Sequence, residues 1–148
     1  MDELSQLIIK WDRSYATGIE TIDSQHKVLI EMIGKFQRGM LEGKSRDQLP
    51  GLLDKLIIYA DYHFRWEEQM LEQKQYPDLE KHRKGHQVLT EQIRDFKSRF
   101  DAGKPIAGAS VLLFLRHWFT DHILDTDFRY AKYFQEKRSA PANTSKSS

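Results

Sequence analysis

The sequence predicts an all-α protein, an antiparallel up-down-up-down four-helix bundle preceded by an N-terminal arm. Apolar residues recur at spacings of three, four and seven along four long segments, which is the period of amphipathic helices. Glycine and proline separate these segments at three places, 39–51, 75–78 and 103–105. The connections are therefore short, and helices joined by short connections pack as antiparallel neighbours.

The four helical segments are predicted at about 21–41, 46–73, 78–101 and 106–136, and each has its own apolar stripe. In chain order the stripes include Ile22, Leu29, Ile33 and Phe36; Leu49, Leu53, Leu56 and Ala60; Leu79, Leu89, Ile93 and Phe96; and Val111, Leu112, Leu115 and Trp118. The second helix also has start signals, because Ser45 and Gln48 have the spacing of a capping box and Pro50 follows them.

The two ends of the chain differ from the bundle in composition. Residues 1–20 contain Leu7, Ile8, Ile9, Trp11 and Tyr15 without a clear helical period, which predicts an arm packed on the bundle. Residues 137–148 contain too little apolar surface to form a core, which predicts a disordered tail. The bundle itself is expected to occupy residues 21–136.

Composition excludes several classes of function. Lys and Arg total 23 against 22 for Asp and Glu, a balance that argues against nucleic-acid binding, because nucleic-acid binders have a concentrated basic face. The chain has no cysteine, which excludes disulfides, thiol catalysis and zinc–thiolate sites. No apolar run approaches the roughly 18 residues of a membrane span, and the first residues, Met-Asp-Glu-Leu-Ser, lack the basic and apolar regions expected of a secretory signal. A cytoplasmic monomer is expected.

Five of the six histidines are in phase with the apolar stripes. A helix turns 100° per residue, so residues seven apart differ in direction by only about 20°. The inward histidines, at least one on each helix, are His26, His63, His82, His86 and His122. Burying them without partners would cost about 1–3 kcal/mol each, a cost that a shared metal site removes. His117 points away from the core and is expected to be a solvated surface residue.

Carboxylates complete this set, with one choice left open. Glu67 follows His63 by four residues and lies on the same inward face, whereas Glu68 is turned a further 100° and is expected to face solvent. In the fourth helix, His117 pairs with Asp121 at a regular spacing but on the outer face. His122 and Asp127 are five residues apart and would need a π-bulge to meet.

Periodicity alone does not separate Asp125 from Asp127 as the inward carboxylate of the fourth helix. Five imidazoles and two or three carboxylates, without sulfur, suit iron, copper, nickel or zinc. Seven ligands are too many for one ion and enough for two. The ferritin-type Glu-x-x-His pair is absent from the chain, so the predicted site is rich in histidine rather than in carboxylate.

Four motifs, in this order, resemble the hemerythrin family, and within it the single-domain bacterial hemerythrins. They are Gly18-Ile19-x-x-Ile22-Asp23-x-Gln25-His26-Lys27, His63-Phe64-x-x-Glu67-Glu68, His82-x-x-x-His86 and Trp118-x-x-x-His122-Ile123-x-x-x-Asp127. The resemblance covers about 11–133, most of the chain, and the order and separations of the motifs make it specific.

The resemblance implies a cofactor of two iron ions joined by two carboxylates and an oxo or hydroxo bridge. One iron would be bound by His82, His86 and His122. The second iron would be bound by His26 and His63, with its remaining position open for O2. The bridging carboxylates would be Glu67 and Asp127, so the resemblance favours the His122/Asp127 alternative in the fourth helix.

The resemblance also implies a function, reversible binding of O2 as hydroperoxide for carriage, storage or delivery to an oxygen-consuming partner protein. It needs no catalytic side chain, so the chain is expected not to be an enzyme. The alternatives are a di-iron enzyme acting on O2, peroxide or nitric oxide, and an oxygen sensor working through a separate partner. The expected oxygen pocket contains Leu115, Trp118 and Phe119, where Phe119 replaces the leucine common in the family.

Overall fold

The computed structural model describes residues 4–43, 48–103 and 108–139, with His122 and Ser139 described by their backbone only. Within these ranges every regular element is helical, which confirms the all-α prediction. Three long α-helices come first, α1 (Glu20–Leu41), α2 (Leu49–Gln73) and α3 (Leu79–Asp101). A fourth helical rod follows, in which α4 (Gly108–His117), a π-helical turn (Trp118–Ile123) and α5 (Leu124–Ser139) are continuous.

Contacts between α2 and α3 run in opposite directions along the two helices. Near the start of α3, His82 lies against Glu67, which is close to the end of α2. Near the end of α3, Nζ of Lys97 lies 3.2 Å from the carboxylate of Asp54, a residue close to the start of α2. The two helices are therefore antiparallel.

The fourth rod runs against α1 in the same opposed sense. The side chain of Gln37, late in α1, donates to the carbonyl of Leu112 in α4 at 3.0 Å. His26, early in α1, meets Asp127 in α5. On its other side the rod meets α3, where the Trp118 indole donates to the carbonyl of Leu89 at 3.1 Å. The four helices thus enclose a shared interior, in which the buried apolar residues form two clusters.

The segment before α1 contains two short 3-10 helices, Leu4–Leu7 and Arg13–Tyr15, and lies against the bundle. Gln37, fully buried, joins it to the bundle, since its side-chain oxygen accepts from the backbone N–H of Ile9 at 2.8 Å and its amide donates to the carbonyl of Leu7. Ile9 is itself buried in the core. This fully bonded amide holds the segment in one position on α1 and α4.

The turn into α1 is built around Asp23. Its carboxylate accepts hydrogen bonds from the backbone N–H and the hydroxyl of Thr17, both at 2.8 Å, and from the N–H of Gly18. Gly18 has a φ of 88°, a conformation that glycine adopts without steric cost. The Gly18 and Asp23 positions of the first motif therefore set the direction in which α1 enters the bundle.

The ends of the predicted elements differ slightly from the structure. Helix α2 begins at Leu49 with Pro50 in its first turn, while Ser45 of the predicted capping box lies outside the described residues. The last helix reaches Ser139, three residues inside the predicted tail 137–148, and the rest of that tail lies outside the described residues. No helix in the described ranges is long and apolar enough to cross a membrane.

Candidate metal centre

Six of the seven predicted metal ligands come together in the middle of the bundle. His26 comes from α1, His63 and Glu67 from α2, and both His82 and His86 from α3. Asp127 comes from α5. Residues four apart lie on the same helical face, so α2 and α3 can each direct two ligands inward. All six side chains are buried, and the most exposed is His82 at 6%.

The ligand atoms form two overlapping groups that share both carboxylates. The first group consists of His26, His63, Glu67 and Asp127, and the second of Glu67, His82, His86 and Asp127. Within each group the potential ligand atoms lie within 4.8 Å of one another. The two carboxylates therefore lie between two separate pairs of imidazoles.

Glu67 directs one carboxylate oxygen toward each histidine pair. Its Oε1 lies 2.7 Å from Nε2 of His82 and 2.8 Å from Nε2 of His86. Its Oε2 lies 3.4 Å from Nε2 of His63, on the other side. This is the arrangement a carboxylate needs in order to bridge two metal ions.

Asp127 divides its two oxygens in the same way. Its Oδ2 lies 2.7 Å from Nε2 of His26 and 3.6 Å from Nε2 of His63. Its Oδ1 lies 3.6 Å from Nε2 of His82. Both carboxylates thus connect the two histidine pairs.

The carboxylates and the imidazoles at the centre stabilise one another's charged forms. Burial opposes ionisation of Glu67, but the charge on His63 and hydrogen bonds from His82 and His86 hold the pKa of Glu67 well below its usual value. Burial lowers the pKa of His26, but its hydrogen bond to Asp127 and the two carboxylate charges raise this pKa above 6.5 overall. In the metal-free protein, the carboxylates thus favour the protonated form of His26.

The residues at the centre fit a metal site, because their hydrogen bonds to one another leave some buried nitrogen atoms without a partner. Nδ1 of His26 and Nε2 of His63 are buried and have no hydrogen-bond partner among the described residues. A buried polar nitrogen without a partner costs about 1–3 kcal/mol. Because Nδ1 of His63 is already bonded to Gln25, its Nε2 lone pair is available to a metal ion between the carboxylates.

The structure resolves the open choice of carboxylate in the fourth helix. Asp127 is buried at the centre, whereas Asp125 is exposed and pairs with Arg129 at 2.8 Å. His117 and Asp121 form a pair 3.7 Å apart that is more than half exposed, as expected for surface residues. His122 lies in the π-helical turn, but its side chain is outside the described residues.

The π-helical turn supplies the irregularity that the His122/Asp127 spacing requires. Over Trp118–Ile123 the backbone is wider than an α-helix, and the N–H of Leu124 bonds the carbonyl of Phe119 five residues earlier. One extra residue in the turn changes the direction of every side chain that follows. Asp127 therefore lies on the inner face.

Three further residues bond directly to the ligands, and sequence reasoning did not assign them. Nδ1 of His63 donates to the amide oxygen of Gln25, and Nδ1 of His86 donates to the carboxylate of Glu68, both at 2.6 Å. The hydroxyl of Tyr130 donates to Oε2 of Glu67 at 2.6 Å. A sequence signal existed for Tyr130, since it follows Asp127 by three residues on the same helical face.

Glu68, predicted to face solvent, does so only in part. Its side chain is 26% exposed and contacts His86 across the α2–α3 interface. The helical wheel of α2 correctly turns Glu68 away from Glu67. The close approach of α3 then places His86 beside it.

The predicted oxygen-pocket residues Leu115, Trp118 and Phe119 are all buried. Phe119 is the one in ring contact with a described ligand, since its ring meets that of His26 edge to face at 5.2 Å. Tyr15 of the N-terminal segment covers Phe119 from outside at 6.1 Å. Trp118 instead lies near Phe64, whose ring stacks on His86.

A model of the hemerythrin HHE cation-binding domain matches residues 17–134. The chain belongs to the hemerythrin family. This match includes α1, α2 and α3, the fourth rod as far as residue 134, and every ligand described above. The family membership inferred from the motifs is thereby confirmed.

Individual hemerythrins match over most of the chain. The bacteriohemerythrin of Pseudomonas aeruginosa is 30% identical over 120 residues, which are 81% of this chain and 77% of the relative. The bacteriohemerythrin of Methylococcus capsulatus is 30% identical over 116 residues, 78% of this chain and 88% of the relative. The myohemerythrin of Theromyzon tessulatum is 27% identical over 121 residues, 82% of this chain and 89% of the relative.

Solved hemerythrin structures share the fold. A crystal structure of hemerythrin with a leucine-to-tyrosine substitution gives a TM-score of 0.75 at 28% identity, over 85% of this chain and 96% of that chain. A leucine-to-alanine mutant gives the same TM-score and identity, over 84% of this chain and 95% of that chain. The four-helix bundle is thus common to this hemerythrin-family chain and its structural neighbours.

Replacing His63 with alanine should empty one metal position and leave the other occupied. His63 belongs only to the first ligand group, whereas the second group keeps all of its members. Elemental analysis after anaerobic reconstitution should find one metal ion per chain instead of two. His117→Ala is the matched control and should leave metal content unchanged, because His117 is more than half exposed. Loss of metal in that control would contradict the assignment of ligands in the fourth rod.

The stability of the metal-free protein should fall as pH rises above 6.5. Carboxylates at the centre raise the pKa of His26 and of His86 against the effect of burial. The stabilisation from these protonated imidazoles is complete below the unfolded value of 6.5 and is lost as pH rises through the raised values. Each unit of upward shift corresponds to about 1.4 kcal/mol. Urea unfolding of metal-free protein at a series of pH values measures this loss.

Metal affinity should change in the opposite direction over the same pH range. Metal ions bind neutral imidazoles, so protons compete with the metal and are released when it binds. Chelator competition at each pH should show affinity increasing where metal-free stability decreases. Parallel changes in the two quantities would contradict the assignment of these histidines as ligands.

Proposed function

We propose that this chain is a non-haem di-iron protein that binds O2 reversibly, for carriage, storage or delivery, and that it is not an enzyme. The observation that carries this proposal is the pair of buried carboxylates, each with one oxygen directed toward each of two histidine pairs. Such a centre suits two metal ions held side by side. Membership in the hemerythrin family favours iron among the metals that imidazole and carboxylate bind.

Each iron would be bound by its own histidines and by both carboxylates. His26 and His63 would bind one iron. His82 and His86 would bind the other, with His122 as a third histidine by its place in the family motif. Glu67 and Asp127 would bridge. The iron with two histidines then has fewer protein ligands, which leaves it a position for O2.

Iron bound there would supply the two-electron reduction of O2 and its reversal. Aromatic side chains keep water away from the side of the centre formed by His26 and His63. Phe119 is fully buried against the ring of His26, and Tyr15 covers it from outside. Both contacts are between aromatic rings, so this side of the centre is lined with apolar surface rather than with proton donors.

On the side of His26 and His63, the described residues in contact with the ligands include no acid suited to cleaving an O–O bond. Tyr130 is the one buried ionisable group in contact with the described ligands that is not itself a ligand. Burial and the charges of Asp127 and Glu67 raise its pKa well above 10, and its hydroxyl proton is held by Glu67. An effective general acid has a pKa near the working pH. This absence among the described residues favours binding and release of O2 over its consumption.

A spectroscopic cycle tests the proposed function. The reduced, iron-loaded protein is placed under nitrogen, then air, then nitrogen again. We expect near-ultraviolet and visible bands to appear in air and to disappear under nitrogen over several cycles, with O2 recovered. Steady consumption of reductant in an oxygen electrode, or release of hydrogen peroxide in each cycle, would support the oxidase alternative and contradict reversible binding.

Replacing Phe119 with alanine should accelerate autoxidation without loss of iron. The substitution opens a cavity beside His26 and admits water, which can protonate and displace reduced oxygen. Removing a buried phenylalanine also costs about 3–5 kcal/mol of folding stability, so the folded fraction must be measured alongside. Stopped-flow mixing with O2 followed by long-term absorbance gives the rate.

Phe114→Ala is the matched control for this cavity. The ring of Phe114 stacks on Phe96 of α3 at 5.0 Å and has no described contact with a ligand. It should lower stability without changing the autoxidation rate. Equal autoxidation rates in wild type and Phe119→Ala would remove Phe119 from the oxygen pocket.

A further inference from the structure

The two histidine pairs, His26 with His63 and His82 with His86, differ in one hydrogen bond. In each pair, one imidazole uses its Nδ1, the ring nitrogen that faces away from the centre, to bond a residue that is not a ligand. In the pair of His26 and His63, Nδ1 of His63 donates to the neutral amide oxygen of Gln25. On the other side, Nδ1 of His86 donates to the negatively charged carboxylate of Glu68. Both distances are 2.6 Å, so the two contacts have the same geometry and differ mainly in charge.

Each of these contacts fixes which ring nitrogen can bind a metal. Because Nδ1 of each ring donates outward, Nε2 is the nitrogen whose lone pair a metal ion would bind once the ring is neutral, and Nε2 faces the carboxylates at the centre. Gln25 and Glu68 therefore position their imidazoles. Only Glu68 also adds negative charge, and a carboxylate accepting from the outer N–H makes the imidazole a stronger electron donor to its metal.

The carboxylate of Glu68 has both water and a cation beside it. It is 26% exposed, so water reaches it, and the guanidinium of Arg83 lies 3.7 Å away. Arg83 also pairs with Glu72 and Glu80, so its charge is shared among three carboxylates. Gln25, in contrast, is almost completely buried and is 6% exposed.

We propose that Glu68 and Gln25 make the two metal positions electronically unequal. Glu68 makes the position bound by His82 and His86 the more easily oxidised one. The neutral Gln25 leaves the position bound by His26 and His63 less electron-rich and so a better acceptor of anionic ligands. This inference rests on the proposed di-iron function, and it assigns positioning and tuning roles to two residues that bind no metal themselves.

Isosteric exchanges separate the effect of charge from the effect of position. Glu68→Gln keeps a hydrogen-bond acceptor for His86 and removes the charge, whereas Gln25→Glu adds a charge beside His63. Spectroelectrochemical titration of the iron-loaded proteins measures the one-electron oxidation of each iron. We expect Glu68→Gln to shift one oxidation equilibrium at least tenfold toward the reduced form, about 59 mV for one electron. Gln25→Glu should shift the other equilibrium in the opposite direction.

Glu72→Gln is the matched control for loss of a nearby charge. Glu72 also pairs with Arg83, at 3.5 Å, but lies a helical turn from Glu68. It should leave both potentials unchanged. Equal shifts in Glu68→Gln and Glu72→Gln would overturn the proposal, because they would show a general field effect rather than an effect through His86.

Zinc affinity gives a second readout that requires no redox chemistry. Glu68→Leu removes both the charge and the acceptor and should weaken Zn²⁺ binding by about 10–100-fold in chelator competition. Glu68→Gln should weaken it less, because the acceptor remains. Unchanged zinc affinity in Glu68→Leu would overturn the positioning role. If the variants show these changes in zinc affinity and potential but the wild-type protein does not bind O2 reversibly, the proposed function alone is contradicted.

Discussion

The structure depends on the contact between two buried carboxylates and the imidazoles that surround them. Glu67 and Asp127 are almost fully removed from solvent, where an ionised carboxylate is stable only if it is paired. Their partners come from three other places in the bundle, His26 on α1, His63 within α2 itself, and His82 on α3. Sliding or rotating any one helix would separate these charges. The polar centre therefore fixes the register of helices that apolar packing alone would hold less specifically.

The two sides of this centre have different chemical surroundings. Beside His26 lies an aromatic contact through Phe119 to Tyr15, so the N-terminal segment is part of the wall that excludes water. Buried Gln37 holds that segment to the bundle through three hydrogen bonds. Beside His86 lies Glu68, which is in contact with solvent. One side of the centre is thus apolar, and the other side has a carboxylate that is open to water.

Hydrogen bonds from outside the ligand set give the centre its precision. The Nδ1 contacts of His63 and His86 leave Nε2 of each ring facing inward, and the hydroxyl of Tyr130 holds one oxygen of Glu67. A metal ligand whose outer side is bonded has one tautomer and one orientation, so little rearrangement is needed when a metal binds. The geometry of the site is in this way a property of the folded protein before any ion is present.

Much of this protein could be read from its sequence because helical periodicity is a local property. The 3.6-residue period was enough to identify the four helices, the inward direction of His26, His63, His82 and His86, and the outward direction of His117. Periodicity could not choose Asp127 over Asp125, because that choice follows from a π-helical turn that widens the helix between Trp118 and Ile123. Nor could it find the contact of Glu68 with His86, since a helical wheel describes one helix and this contact joins two. Directions within a helix follow from its own residues, whereas contacts between helices follow from how closely their backbones approach.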